Sequence, residues 1–232
     1  MSGSIALSWS GGKDSALALH ELRRCRTPPS TLLTTFDEES RTVPHHGVGI
    51  ELLAKQAAAV GLPLVTVALP SASSNATYEQ RLQEAFEGPP LNSVEAVAFG
   101  DLFLADLRRY RETRMTQAGR TALFPLWHRD TRELARSFIA DGFRATVISV
   151  DGNQLHHRFL GRDFAEDLLD ELPPGVDPCG ERGEFHTFVH DGPIFDHHVA
   201  VQTAERTTDG RFVWMALRVH SRTEATAASC TN

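Results

Sequence analysis

The chain is poor in cysteine and has no long apolar run. Cys25, Cys179 and Cys230 are the three cysteines among 232 residues; they are odd in number and none belongs to a Cys-x-x-Cys pair. A disulfide framework and a thiolate zinc site are thereby disfavoured. No stretch approaches the roughly 18 consecutive apolar residues of a membrane span, and Met1-Ser2-Gly3-Ser4 lacks the basic start of a secretory signal. A cytoplasmic protein without membrane contact is the expectation. Positive charge is also in deficit: 23 Lys and Arg against 30 Asp and Glu give a net charge of -7. Chains that grip nucleic acid through its phosphates show a basic balance or stripe, so no DNA partner is expected. What remains, 41% hydrophobic and 23% charged, is the composition of a globular protein with ample core.

Apolar segments of two periods alternate through the first half. The pattern predicts strands over 5–9, 31–36, Leu64–Leu69 and 94–100, and helices over 15–25, 47–60 and 77–87. In the second helix Ile50, Leu53, Ala54, Ala57 and Ala58 fall on one face. Such alternation predicts an α/β fold, a Rossmann-like parallel sheet with helices on both faces. Ligands of such sheets sit beyond the carboxyl ends of the strands. A helix over 102–117, a strand over 122–127, a helix over Thr131–Ala140 capped by Asp130 and stopped at Gly142, and a strand over 144–150 follow. After a short helix near 164–172, Pro173-Pro174-Gly175 opens a β-rich tail, with a hairpin of 199–203 and 211–220 around Asp209-Gly210. The division expected is a nucleotide-binding domain over 1–128, a smaller mixed α+β domain over 129–222 and a disordered tail over 223–232. The apolar run 213–219 suits a homodimer contact or, more simply, a sheet within the chain.

Between the first strand and the first helix stands Ser10-Gly11-Gly12-Lys13-Asp14-Ser15. Glycines here let backbone N–H groups approach an anion, and the first helical turn adds unpaired donors and the positive end of its dipole. The loop is not a Walker A sequence, which needs four residues between its first glycine and Gly-Lys-Ser/Thr. Gly100-Asp101 follows the fourth strand and so reaches the same edge. In the helix behind it Arg108, Arg111 and Arg114 recur every third residue. Arginines on one face suit polyphosphate or carboxylate recognition, although a solvated charged face is the commoner meaning.

A second polar cluster occupies Asp177-Pro178-Cys179-Gly180-Glu181-Arg182-Gly183-Glu184-Phe185-His186-Thr187-Phe188-Val189. Carboxylates spaced like Glu181 and Glu184 can bind Mg²⁺, an amine or an ammonium ion, or merely decorate a polar hairpin. The pairs His45-His46, His156-His157 and His197-His198 are not ready-made chelates, because adjacent side chains diverge on a strand or a helix. Cys179 reads as a small structural residue rather than a catalytic thiol.

Taken together these motifs resemble the diphthine–ammonia ligase family of PP-loop ATP pyrophosphatases, over nearly the whole chain from Ser8 to about Phe195. The resemblance rests on Ser10–Ser15, His45-His46-Gly47, Gly100-Asp101 with Tyr110-Arg111-Glu112, Pro125-Leu126-Trp127, Leu160-Gly161 and the Cys179–Phe188 segment, the last being the most diagnostic. It implies an ATP-dependent ligase that adenylates a substrate carboxylate, releases pyrophosphate and transfers ammonia to the acyl group. By the same resemblance Ser10, Gly11, Gly12, Lys13, Asp14, Ser15, Gly100, Asp101 and Arg111 would bind ATP, with Asp14 near Mg²⁺. Lys13, Asp14, Glu181 and Glu184 would be catalytic, and His46, Trp127, Glu181, Glu184 and His186 would line the acceptor cleft. The implied partners are free ammonium or an ammonia-supplying protein, and an acceptor such as a diphthine-bearing elongation factor. A tRNA-modifying PP-loop enzyme would want paired thiols or a basic RNA surface. A non-catalytic ATP-binding switch is the other alternative, against which the intact loop with Glu181 and Glu184 argues for turnover.

Overall fold

The computed structural model describes residues 4–219, so the tail expected over 223–232, Cys230 and the end of the last predicted strand lie outside the described residues. Five parallel strands, β1 (Ser4–Ser8), β2 (Thr31–Asp37), β3 (Leu64–Leu69), β4 (Val94–Ala98) and β5 (Thr121–Leu123), form one sheet in the order β3-β2-β1-β4-β5. Strand β1 is central, pairing Ala6 with Thr31 on one side and with Val97 on the other. That position explains its unbroken Ile-Ala-Leu run, which is buried throughout. Helices α1 (Lys13–Arg24), α2 (Ile50–Ala59), α3 (Asn75–Glu87) and α4 (Ala105–Gln117) make the crossovers.

A second sheet is antiparallel, with the order β7-β6-β9-β8. Its strands are β6 (Arg144–Asp151), β7 (Phe185–Asp191), β8 (Val201–Thr208) and β9 (Phe212–Val219), accompanied by α5 (Thr131–Ala140) and α6 (Glu166–Glu171). Asp130 caps α5 by accepting from Glu133 N, and Gly142 takes a positive φ of 85° beyond its end, as the sequence predicts. Strand β9 is paired on both edges, by β6 and β8, so the apolar run spends its backbone within the chain.

Three local expectations need correction. The strand expected over 122–127 stops at Leu123; Pro125-Leu126-Trp127 is a turn, and Leu126 is buried there. In α2 Ala54 and Ala58 are exposed, and the buried stripe runs through Leu52, Leu53, Gln56 and Ala57 instead. The stripe is displaced because Gln56, polar in sequence, is fully buried as a hydrogen-bonding hub. Strand β7 falls within the segment that the sequence marks only as a polar cluster; its Phe185-x-Thr187-Phe188-Val189 run is buried on both faces, which hides the alternation.

The two sheets share one apolar core. Trp9, Leu19 and Leu53 of the first half and Phe138, Phe185 and Phe188 of the second belong to a single packed cluster. Polar ties cross the same seam. Arg23 donates to Val60 O at 2.6 Å and to Ile194 O at 2.9 Å, and Asp196 N donates to Ala59 O at 2.7 Å. Gln56 accepts from Trp9 Nε1 at 2.7 Å and donates to Gly11 O at 2.9 Å and to Val189 O at 2.5 Å. An unpaired buried donor or acceptor costs about 1–3 kcal/mol. Gln56→Leu strands the indole N–H, removes the side-chain donor of Val189 O and leaves Gly11 O with Val189 N alone, and we expect it to lower the unfolding free energy by about 2–4 kcal/mol. A loss under about 0.5 kcal/mol in urea unfolding would show that the hub carries no load.

Candidate functional site

The phosphate-type loop sits where the first helix meets the second sheet. Gly11 adopts φ +80°, and a Cβ there would lie 2.5 Å from Leu53 Cδ2 and 2.8 Å from Gln56 Oε1, so glycine is required. Strand β7 runs beside the loop: Val189 N donates to Gly11 O at 2.9 Å, and Lys13 N donates to Thr187 Oγ1 at 3.1 Å. Ser15 Oγ closes the turn on Gly12 O at 2.8 Å. Gly100 approaches from β4 so closely that a Cβ would stand 2.9 Å from the carbonyl carbon and oxygen of Asp14. One donor of the first turn, Lys13 N, is thus already used by Thr187.

Around this junction lies a cavity of about 230 Å³ lined by Ser10, Gly12, Lys13, Asp14, Ser15, His46, Gly100, Asp101, Arg111, Glu181, His186 and Thr187. Most of the residues singled out in sequence therefore meet. Lys13 is buried, with Nζ 2.9 Å from Asp14 Oδ2 and 5.5 Å from the Phe185 ring centre. Burial opposes its ammonium, but Asp14, Cys179 and Glu181 together outweigh it and raise the Lys13 pKa, while burial raises that of Asp14 in spite of Lys13. Asp14 Oδ1 is buried with no hydrogen-bond partner among the described residues. Arg111 clamps Asp101 through Nε and Nη2, at 2.5 and 3.2 Å, and lies over the Phe99 ring. Glu181 accepts from Leu102 N at 2.8 Å, and burial pushes its carboxyl up to about 7.

His46 and His186 come from distant segments yet stand with ring centres 4.2 Å apart. Burial, His186 and nearby Lys13 hold His46 well below the usual histidine range, and burial and Lys13 hold His186 down to about 4. Both shifts favour the neutral ring.

Two expected site residues are placed otherwise. Glu184 is buried, and its carboxylate accepts from Asp177 N at 2.8 Å and Arg182 N at 2.9 Å. It staples the loop that presents Glu181 and does not line the cavity. Trp127 packs on Phe124 and under the Arg108 guanidinium, 4.7 Å from its ring centre, and lines none of the three cavities of this region. Arg114 is held by Glu79 at 2.8 Å, as a charged helix face would be. Burial pushes the Cys179 thiol up, and it donates to Thr131 O at 3.2 Å, in keeping with a structural role.

Other contributors were missed. Thr187, inside the polar cluster, and Gln56, on the apolar α2, carry no site signal of their own in sequence; a glutamine amid buried apolar positions is the available one. Trp214 of β9 donates through Nε1 to His45 O at 3.1 Å, across a gap of sequence that no periodicity reveals.

Two larger spaces adjoin the small cavity, both sharing Ser10, Tyr78 and Arg111 with one another. One, of about 450 Å³, is mostly apolar and lies between the sheet and helices α3 and α4, with Val97, Phe99 and Met115 in its wall. The other is a cleft of about 1200 Å³ between the two halves, edged by His45, His46, Asp151, Glu181, Arg182, Arg211 and Trp214. Asp151 is fully buried there and held well below the usual carboxylate range by Arg211, whose Nη2 lies 2.6 Å away.

No three His, Cys, Asp or Glu side chains form a metal cage among the described residues. An ion that keeps several waters and rides on substrate phosphates needs none. The unpartnered Asp14 Oδ1, an oxygen donor inside the cavity, fits Mg²⁺ in that manner. No helix among the described residues is long and apolar enough to cross a membrane.

Comparison with known proteins agrees with this arrangement. The profile described as "Diphthamide synthase N-terminal domain" matches residues 3–121, and that described as "Diphthamide synthase C-terminal domain" matches 130–222. Proteins named diphthine–ammonia ligase are similar along most of the chain. The one from Danio rerio is 30% identical over 227 residues, covering 84% of this chain and 85% of its own length. That from Rattus norvegicus is 29% identical over 233 residues, covering 87% and 84%. The Schizosaccharomyces pombe relative is 26% identical over 216 residues, 84% of this chain, which spans only 36% of that longer protein. Two matched profiles that together take in both sheets, and relatives that align with most of the chain, lead to one conclusion: the chain belongs to the diphthamide synthase family.

Proposed function

We propose that the chain joins ammonia to a carboxylate at the expense of ATP, with diphthine on an elongation factor as the acceptor. It is an ATP-dependent amide-forming ligase. The observation that carries this reading is the meeting of the Ser10–Ser15 loop with Glu181, His186 and Thr187 of the second half in one cavity. Phosphates at the loop and an acceptor entering by the large cleft would approach each other there. The apolar cavity beside Ser10 and Arg111 has the size and lining for a purine base.

The acceptor carboxylate attacks the α-phosphate, pyrophosphate leaves, and ammonia then displaces AMP from the acyl group. Gly11, Gly12 and the first turn of α1 would hold the departing pyrophosphate, and Ser10 and Ser15 would flank it. Arg111, fixed by Asp101, would orient the α-phosphate. Lys13 favours the ionised form of Asp14 against the burial that raises its pKa. Asp14 would hold Mg²⁺, which when bound spreads the charge of the leaving group. Glu181 faces both the small cavity and the cleft, where it can hold or pass a proton between acceptor and nucleophile.

Three outcomes are expected. Asp14→Asn should lower acceptor-dependent AMP formation about a hundredfold or more, read by chromatography of the nucleotides; activity within threefold of the parent would remove Asp14 from the site. Gly100→Ala forces the β4 loop off the Asp14 backbone, and a cost of about 1.4 kcal/mol would weaken ATP binding about tenfold in calorimetry. The third concerns pH in the nucleotide-free protein. Glu181 is protonated more readily folded, at about 7, than unfolded, so burying its charged form costs stability as pH rises from its unfolded pKa through 7. Glu181→Gln should therefore gain in Tm over the parent between pH 5 and 8, and parallel Tm profiles would contradict the assignment.

A further inference from the structure

Two imidazoles of the small cavity stand outside the phosphate loop itself. A histidine that binds polyphosphate is useful as a cation, but burial and the Lys13 charge keep His46 and His186 neutral. Neither ring has a hydrogen-bond partner among the described residues, and Nδ1 of His46 is buried without one. His46 is also placed with care. A Cβ on Gly12 would lie 3.5 Å from its Cε1, so the ring rests against the phosphate loop. Its own loop is clamped from the other half: Trp214 Nε1 donates to His45 O at 3.1 Å, and Trp214 Cδ1 fills the space 2.8 Å from where a Gly47 Cβ would project. Gly47 supplies the positive φ of +69° that this fit needs.

We propose that His46 and His186 form the ammonia subsite, receiving uncharged ammonia between the phosphate loop and the cleft, with Trp214 as the residue that positions His46. The inference rests on the ligase reading above. A neutral imidazole offers one bare nitrogen as an acceptor for an N–H of ammonia. The surrounding charges are those of Lys13, Asp14, Asp101, Arg111 and Glu181 in the same cavity, with His45 beside the pair. Lys13, which depresses both imidazoles, acts equally against a bound ammonium cation, so the site selects ammonia after ammonium has given its proton to water. The nitrogen lone pair then forms the C–N bond at the activated carbonyl while the C–O bond to AMP breaks and its electron pair leaves with AMP. Nitrogen becomes strongly acidic as this happens, so an imidazole that is hard to protonate still suffices to take the proton and pass it to water.

Hydroxylamine tests the assignment, because it is unprotonated at neutral pH and attacks the same activated acyl group. The full chain, ATP, Mg²⁺ and diphthine-bearing elongation factor 2 are incubated with ammonium chloride or with hydroxylamine, and amide, hydroxamate and AMP are quantified. In His46→Ala and His186→Ala, kcat/KM for ammonium should fall at least tenfold more than kcat/KM for hydroxylamine, mainly through KM. His46→Asn, which keeps an acceptor oxygen near the loop, should recover part of the loss, and Trp214→Phe should shift the same ratio by a smaller factor. Equal losses with both nucleophiles, or an unchanged KM for ammonium in variants whose Tm matches the parent, would overturn the subsite. Absence of acceptor-dependent AMP in the parent chain would instead overturn the ligase reading and the subsite with it.

Discussion

The seam between strand β7 and the phosphate loop is the constraint on which the rest depends. Val189 N on Gly11 O and Thr187 Oγ1 on Lys13 N lock a strand of the second sheet onto the first turn of α1. Gln56 fastens the same two segments from behind while it holds the indole of Trp9. Each contact is worth only about 1 kcal/mol net, yet each leaves a buried group unsatisfied if broken. The loop conformation is therefore not a local property of Ser10–Ser15. It is imposed by a strand that follows it by more than 170 residues, and that strand also delivers His186 and the end of the Glu181 loop.

Electrostatics at the seam follow from the same closeness. A lysine, an aspartate, a second carboxylate and two imidazoles share a space too small to solvate them all, so each sets the state of the next. Asp14 keeps Lys13 charged, Lys13 helps keep both imidazoles neutral, and burial keeps Glu181 near the middle of the physiological range. Ser10 and Arg111 touch all three adjoining spaces, the apolar cavity, the small polar one and the large cleft.

Much of this was legible in the sequence, and the failures have physical reasons. Strands β1 to β4 announce themselves as short apolar runs, and the Ser10–Ser15 loop is named by its place between strand and helix. The α5 cap and stop at Asp130 and Gly142 are local chemistry, which sequence reports well. Strand β7 is buried on both faces, and so it lost the alternation that marks a half-buried strand. Glu184 illustrates a different limit: its spacing from Glu181 is that of a catalytic pair, but it spends both oxygens on backbone N–H groups. Trp127 was drawn to the site by a motif and is held away from it by Arg108 and Phe124. Contacts between remote segments, such as Trp214 with His45, have no signature in any window of the chain.

The shared core carries a meaning for how the molecule comes apart. Leu53 and Trp9 pack in one cluster with Phe138 and Phe188, so the face of the first sheet that carries the phosphate loop shares its interior with the second sheet, while Ala6, Leu33, Val97, Phe99 and Met115 fill a separate cluster on the other face. Loss of the second sheet would bare the apolar residues of α1 and α2 that join the shared cluster and would take from the Gly11 carbonyl one of its two donors. The nucleotide-binding half is thus not a portable cassette. Its cavity is completed only by Glu181, His186 and Thr187 of the other half.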